Sequence, residues 1–277
     1  MLNVIPPGNE PEDTVQGPVN LPYVSKGRVA DWDPKTLPKS DTLLERGKEV
    51  LFRGDAYCLE FAFKPVRMLD VELPTKVGYR QARVWYMVYR VRYLGRDLRP
   101  VPESDKFNNK VYETTPVSAK WVRFIPEFRL NSKSLSEPML DRVIHPAKKA
   151  IAARERVGAK LHDSADIQQV KIELSTPADD NAVWGVATWI GVAPNTDFFT
   201  VEVRGLTNAQ KLVQEGDKYV ARAKALELFF TRPGDTIDEL SDRIRFGIPA
   251  ITEPERQKYV LDQFGAEERL DYRWVYR

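Results

Sequence analysis

Apolar and polar side chains alternate with a period of two along much of this chain, beginning near residue 57. In AYCLEFAFKPVRMLDVELP, Tyr57, Leu59, Phe61 and Phe63 fall on one face and Glu60 and Lys64 on the other, the pattern of a half-buried strand. VGYR (77–80) reads as a connection and 82–94 as the partner strand. Within that partner, Trp85, Met87, Tyr89, Val91 and Tyr93 make one face, while Val84, Tyr86 and Val88 give way to Arg90 and Arg92 on the other. This parity predicts a central strand covered on both faces in its first half and solvated on one face in its second. Glu60 is the expected cross-strand partner for the arginines. A further strand is expected near 110–117 and another over 119–130, where Pro126 marks an edge or a bulge.

The period then changes once. In AKKAIAARERVG, Ala147, Ala150, Ile151, Arg154 and Val157 follow helical spacing, with Pro146 suited to the first helical position and Gly158 to the residue past the end. Alternation resumes over 183–192, 197–206 and 218–230, punctuated by the turn signals PNT and RPGD, and DYRWVYR closes the chain. Short alternating strands without a βαβ rhythm predict an all-β fold, an immunoglobulin-like antiparallel β-sandwich with one short α-helical insertion at about 138–165. Residues 51–277 would form this single domain. Before it, prolines 6, 7, 11, 18, 22, 34 and 38 recur too often for a helix or central strand. With Val24, Trp32, Leu37 and Leu43 among them, residues 1–50 read as a proline-rich N-terminal arm lying across a surface.

Composition narrows the function classes. The chain has 277 residues, 42% hydrophobic and 30% charged, enough to bury a sizeable core. Lys+Arg 42 against Asp+Glu 40 gives a net charge of +2, which argues against a general polyanion or nucleic-acid binder. The longest apolar run, Val84 to Tyr89, is far short of the roughly 20 residues of a membrane span. MLNVIPPGNEPEDTVQGP lacks a basic and an apolar region, so no signal peptide is legible. The single cysteine, Cys58, sits in an apolar stretch and reads as a buried small hydrophobe.

Candidate chemistry is sparse. The sequence holds no GxGxxG, GxxxxGK[ST], GxSxG or HExxH, and Cys58, His145 and His162 cannot supply a Cys/His metal cage. No catalytic, cofactor-binding or metal-binding residues are therefore assigned, and no cofactor is expected. An all-oxygen calcium site among DSAD (163–166), PADDN (177–181) and GDTIDELSD (234–242) stays open, although solvated loop carboxylates explain them as well. His162 and Asp163 are a conceivable general-base pair without a nucleophile. Arg53-Gly54-Asp55 matches an adhesion tripeptide but equally a turn feeding the first strong strand. Six arginines stand against Asp97 between 80 and 99; because the strand puts rings and cations on opposite faces, they suit an edge-of-sheet contact better than a base-stacking platform. Arg90, Arg92, Arg96, Arg99 and Trp32 are the candidate interaction surface. Trp121, Trp184 and Trp189 would be stacking faces for a sugar, but Trp184 and Trp189 are five apart, so one of them belongs to the core.

LEFAFKPVRMLDVELP, RVWYMVYRVRYLG, VRFIPEF, DRVIHPAKKAIAARE, WGVATWIGVAPNTDFFTVEVRGLTNA and DYRWVYR together resemble a family of conserved, uncharacterised proteins from planctomycete bacteria, from about residue 30 to the C-terminus. The resemblance implies an exported setting, the periplasm or cell envelope, with a cytoplasmic one as the alternative. It transfers no catalytic residue. The expectation is a non-enzymatic structural or protein-interaction component that contacts a protein partner or itself through the N-terminal arm. The alternatives are a carbohydrate- or small-ligand-binding module and an enzyme of unrecognised class.

Overall fold

In the computed structural model, which describes residues 2–16, 52–108, 110–193, 196–215, 218–232 and 243–277, the period-two segments become strands. In chain order these are β1 (Asn3–Ile5), β2 (Val15–Gln16), β3 (Phe52–Arg53), β4 (Glu60–Phe63), β5 (Arg67–Thr75) and β6 (Gly78–Arg92). They continue with β7 (Asp97–Ser104), β8 (Lys110–Val117), β9 (Trp121–Val122), β10 (Glu127–Asn131) and β11 (Met139–Leu140). After helix α1 (His145–Glu155) come β12 (Leu161–His162), β13 (Ile172–Glu173), β14 (Val183–Ile190), β15 (Phe198–Arg204), β16 (Gln210–Glu215), β17 (Lys218–Thr231) and β18 (Arg245–Phe246). Helix α2 (Pro254–Phe264) and β19 (Tyr272–Tyr276) end the chain.

Two larger sheets dominate. The first has the order β1-β4-β6-β14-β12, with β5 also paired to β6; the second has β11-β10-β15-β17-β16, with β18 and β19 also on β17. Pairing is antiparallel throughout both except for β12 on β14. The sheets face each other across one apolar core, because the odd-numbered side chains of β6 meet those of β10, β15 and β17. Tyr89 packs on Phe128 at 4.9 Å between ring centroids, Trp85 on Phe199 at 5.4 Å, and Phe63 on Phe230 at 5.9 Å, distances typical of tilted and edge-on ring pairs. Trp189 is fully buried beside them and donates its indole N–H to the Met139 carbonyl, so it is the core member of the tryptophan pair.

The parity reading of β6 holds residue by residue. Val84, Tyr86 and Val88 are buried on the outer face under α1, whereas Arg90 and Arg92 emerge half-buried beyond the helix. The hairpin joining β5 and β6 turns at Lys76–Val77, so VGYR is mostly strand rather than connection. Pro126 does divide the 119–130 segment, into β9 and β10. Gly185 faces Tyr89 directly across the β14–β6 pair, and its missing Cβ leaves the space that the Tyr89 ring occupies.

Helix α1 starts at His145, one residue before the expected proline, and stops before Gly158: Arg156 takes the left-handed conformation, φ 49°. Glu155, pulled inward by three partners, anchors the last turn and fixes that early stop. A second helix corrects the expectation of only one. In PERQKYVLDQFG, Pro254 opens α2 and Gly265, at φ 61°, closes it through bonds to Leu261 and Asp262, while Val260, Leu261 and Phe264 pack on the outer face of the second sheet. No helix among the described residues is long and apolar enough to cross a membrane.

Most of the expected N-terminal arm, Trp32 included, lies outside the described residues. Its first part is built into the fold. β1 extends the first sheet beside β4, and Asp13 is buried against the second, accepting bonds from Lys224 Nζ at 2.7 Å and from the Tyr276 hydroxyl. Gly8 lies against the Trp274 indole and its carbonyl accepts from Lys224 as well. The segment thus ties the two sheets together.

Candidate functional site

The residues singled out in the sequence are spread over the molecule and most are paired internally. Arg92 grips Glu60 with two parallel bonds of 2.9 Å, as the cross-strand expectation required, and Arg90 bonds Asp180 at 3.1 Å. Arg99 bonds Asp55, which holds that carboxyl below its ordinary range through the hydrogen bond, so the adhesion-like tripeptide spends its aspartate inside the chain. Arg53 of the same tripeptide lies over the Tyr112 ring. Arg96 is exposed at a positive φ of 63°. These arginines do not converge on one cleft.

The histidine reading needs correction. Asp163 does not pair with His162; Lys148 takes it at 2.5 Å, and the exposed His145 approaches to 4.0 Å. His162 is buried, its Nδ1 has no partner among the described residues, and burial together with nearby Lys160 holds its pKa below the usual histidine value. Asp166 also pairs with Lys148, and Asp180 of PADDN serves Arg90 and Arg92; GDTIDELSD lies outside the described residues. Burial pushes the Cys58 thiol up to about 12, which makes it a poor nucleophile. Trp184 is half-buried against the α1 cluster, and Trp121 is exposed with Lys171 and Arg123 over its ring.

A different set of residues does converge, and sequence reasoning missed it. On the outer face of the second sheet the register places Arg129 opposite Glu202, Glu202 opposite Glu227, and Glu227 opposite Arg273. Two like charges side by side on neighbouring strands repel, so each glutamate needs a cation. Arg204 Nε donates to Glu202 at 2.5 Å, Arg273 Nε donates to Glu227 at 2.5 Å, and Arg277 reaches both, bonding Glu227 at 3.1 Å and standing 3.6 Å from Glu202. Arg129 Nε donates to Glu127 at 2.5 Å. Both central glutamates are about 4% exposed, whereas the arginine side chains stay between a quarter and a half exposed.

This row floors a cleft of about 430 Å³, within the size range of small-ligand sites. Helix α2 bounds it, because the helix covers only the Phe198–Phe229 end of the sheet face. Phe198 and Phe264 meet edge to face at 5.7 Å and form an apolar wall. Lys133 stands at the rim and donates to the Asp262 carbonyl, capping the negative end of the helix where it faces the cleft. Arg129, Arg204 and Arg273 bond their glutamates through Nε, so among the described residues their paired Nη groups remain for another acceptor.

The signal that could have found this site is faint: one glutamate at an alternate position inside each of two apolar runs, VEVR and LELF. Only the pairing of β15 with β17 makes them neighbours. The structure belongs to the mostly-β class built on several antiparallel sheets. No protein family, curated protein or solved structure matches the chain.

Proposed function

We propose that this chain is a non-enzymatic binding protein whose cleft over β10, β15, β17 and β19 receives the anionic group of a small ligand. The observation that carries the reading is the bonding of Arg129, Arg204 and Arg273 through Nε, which fixes three guanidinium groups and leaves their Nη edges for an oxyanion. The rest of the two-sheet body acts as a rigid support, immunoglobulin-like in the sense that two packed sheets carry the site on an outer surface. The test is thermal melting of the full chain with small anions, neutral sugars and cations. Anions raise the melting temperature, the rise shrinks with added salt, and the Arg129→Ala/Arg204→Ala pair removes it. Stabilisation by neutral sugars alone would move the site to another surface and favour a carbohydrate module.

A second reading is favoured by where the exposed apolar side chains lie. Val77 (97% exposed) and Tyr79 (78%) crown the β5–β6 hairpin, and Phe107 (84%) crowns the β7–β8 ribbon. Such tips suit contact with a protein partner or a second copy. In this reading the chain is a structural component of the bacterial envelope, the setting implied by the planctomycete resemblance. Sedimentation of the chain and of a Val77→Ser/Tyr79→Ser/Phe107→Ser variant separates the two: concentration-dependent association lost in the variant supports the ribbons, and a monomer in both removes self-assembly through them.

A further inference from the structure

We propose that the ligand of this cleft is a phosphate monoester with a planar apolar body; the inference rests on the reading of the cleft as an anion site. Charge is the first argument. Five cationic side chains line the space, Lys133, Arg129, Arg204, Arg273 and Arg277, against Glu202 and Glu227 in the cleft and Glu127 beside Arg129 and Arg204, an excess of two positive charges. A monoanion would leave half of that excess uncompensated in a partly enclosed site, whereas a dianion offsets it.

The layout decides between compact and extended dianions. Glu202 and Glu227 are directly opposite each other, and Arg204, Arg273 and Arg277 all bond or closely approach one of those two carboxylates, with Arg129 in the same cross-strand row. The guanidinium groups of Arg204, Arg273 and Arg277 therefore surround one point of the sheet rather than two ends of a groove. Two charges on one tetrahedral centre match that convergence, and the several acceptor oxygens of a phosphoryl group can take Nη donors from more than one arginine. A dicarboxylate would spread its charges past the cluster.

The ring pair supplies the other end. Phe198 and Phe264 wall the same cleft, and their edge-to-face contact, backed by Tyr259 against Phe198 at 6.2 Å, holds them in place. A flat apolar group leaving the phosphate would lie against them.

The experiment is calorimetric titration of the full-length chain with phenyl phosphate, inorganic phosphate, benzoate and phenylsuccinate. The expected order is phenyl phosphate first, at least about tenfold tighter than benzoate and clearly tighter than inorganic phosphate. Arg204→Ala and Arg277→Ala each weaken phenyl phosphate about tenfold, Arg204→Lys recovers part of the loss, and Phe264→Leu lowers the preference over inorganic phosphate. Far-UV circular dichroism of each variant separates lost binding from lost folding. Benzoate binding as tightly as phenyl phosphate would overturn the dianion while leaving the anion site standing. Phenylsuccinate matching phenyl phosphate would overturn the compact phosphate, and inorganic phosphate matching it would overturn the apolar body. If no anion binds, the inference and the reading beneath it fall together.

Discussion

Each of the two sheets carries an eleven-residue helix on its outer face, yet one face is sealed and the other is open. Under α1, Ala147 and Ile151 meet Val84, Tyr86, Val88 and Val186, and the carboxylate of Glu155 uses up its surroundings. Lys64, Arg67 and the Tyr86 hydroxyl all donate to it within 2.8 Å. Helix α2 sits at one end of its sheet, and the row beside it holds more arginine donors than its glutamates consume. A buried carboxylate with every partner committed is a structural joint. A charged row with donors left over is where the proposed anion would bind. The difference arises from helix placement, since both faces began as alternating strands with charges on the outer side.

The sealed joint should therefore be costly to break. Glu155→Ala leaves Tyr86 without its acceptor and two cations without their anion; because Lys64 and Arg67 retain a quarter to a third of their exposure, the loss is about 2–3 kcal/mol in urea unfolding, below the value for a fully buried pair. A loss under about 0.5 kcal/mol would erase the contrast between the faces. Gly185→Ala, on the inner side of the same sheet, forces a methyl group into the Tyr89 ring and should cost about 2 kcal/mol, with a weakened near-UV tyrosine signal as the local readout.

Acid should act on the sealed face too. Burial alone would raise the Glu155 pKa, but the bonds from Lys64 and Tyr86 outweigh it and hold the net value below the ordinary one. A carboxyl depressed in the folded state contributes stability above its unfolded pKa, roughly 4.3, and that contribution is lost as pH falls through the folded value. Wild-type unfolding free energy should thus drop on acidification below about pH 4.3, and Glu155→Gln should flatten that part of the curve. Asp141 works in the opposite direction: burial raises its pKa despite the bond from Ser164, so its contribution is present at low pH and lost as pH rises through the raised value. An unchanged acid slope in Glu155→Gln would show that another carboxyl controls the transition.

How far these faces were legible in the sequence follows from the range of the interactions. Parity along β6 located its two faces and the Arg92–Glu60 pair, because alternation and an adjacent strand are local information. The proline and glycine flanking α2 are equally local, yet the helix is hidden in the sequence because its apolar residues are few in a charged run. The Glu202–Glu227 row was beyond reach: the residues are separated by the whole β16 excursion, and nothing in VEVR or LELF states which strands pair. Asp163 likewise stands next to His162 in sequence, but β12 ends at His162 and Lys148 on α1 takes the Asp163 carboxylate.

The smallest expected effect on stability sharpens the comparison most. Arg129 is about a third exposed and bonds Glu127, itself 42% exposed, from the next-but-one position on β10. Such a pair contributes little, so Arg129→Ala should cost under about 1 kcal/mol in urea unfolding. The same substitution removes one of the guanidinium groups lining the cleft and should weaken anion binding several-fold. A residue that matters for a ligand and hardly for folding is what an open binding face requires. If Arg129→Ala instead costs as much stability as Glu155→Ala and leaves anion affinity untouched, the charged row is a second structural joint, and the two faces differ only in how much water covers them.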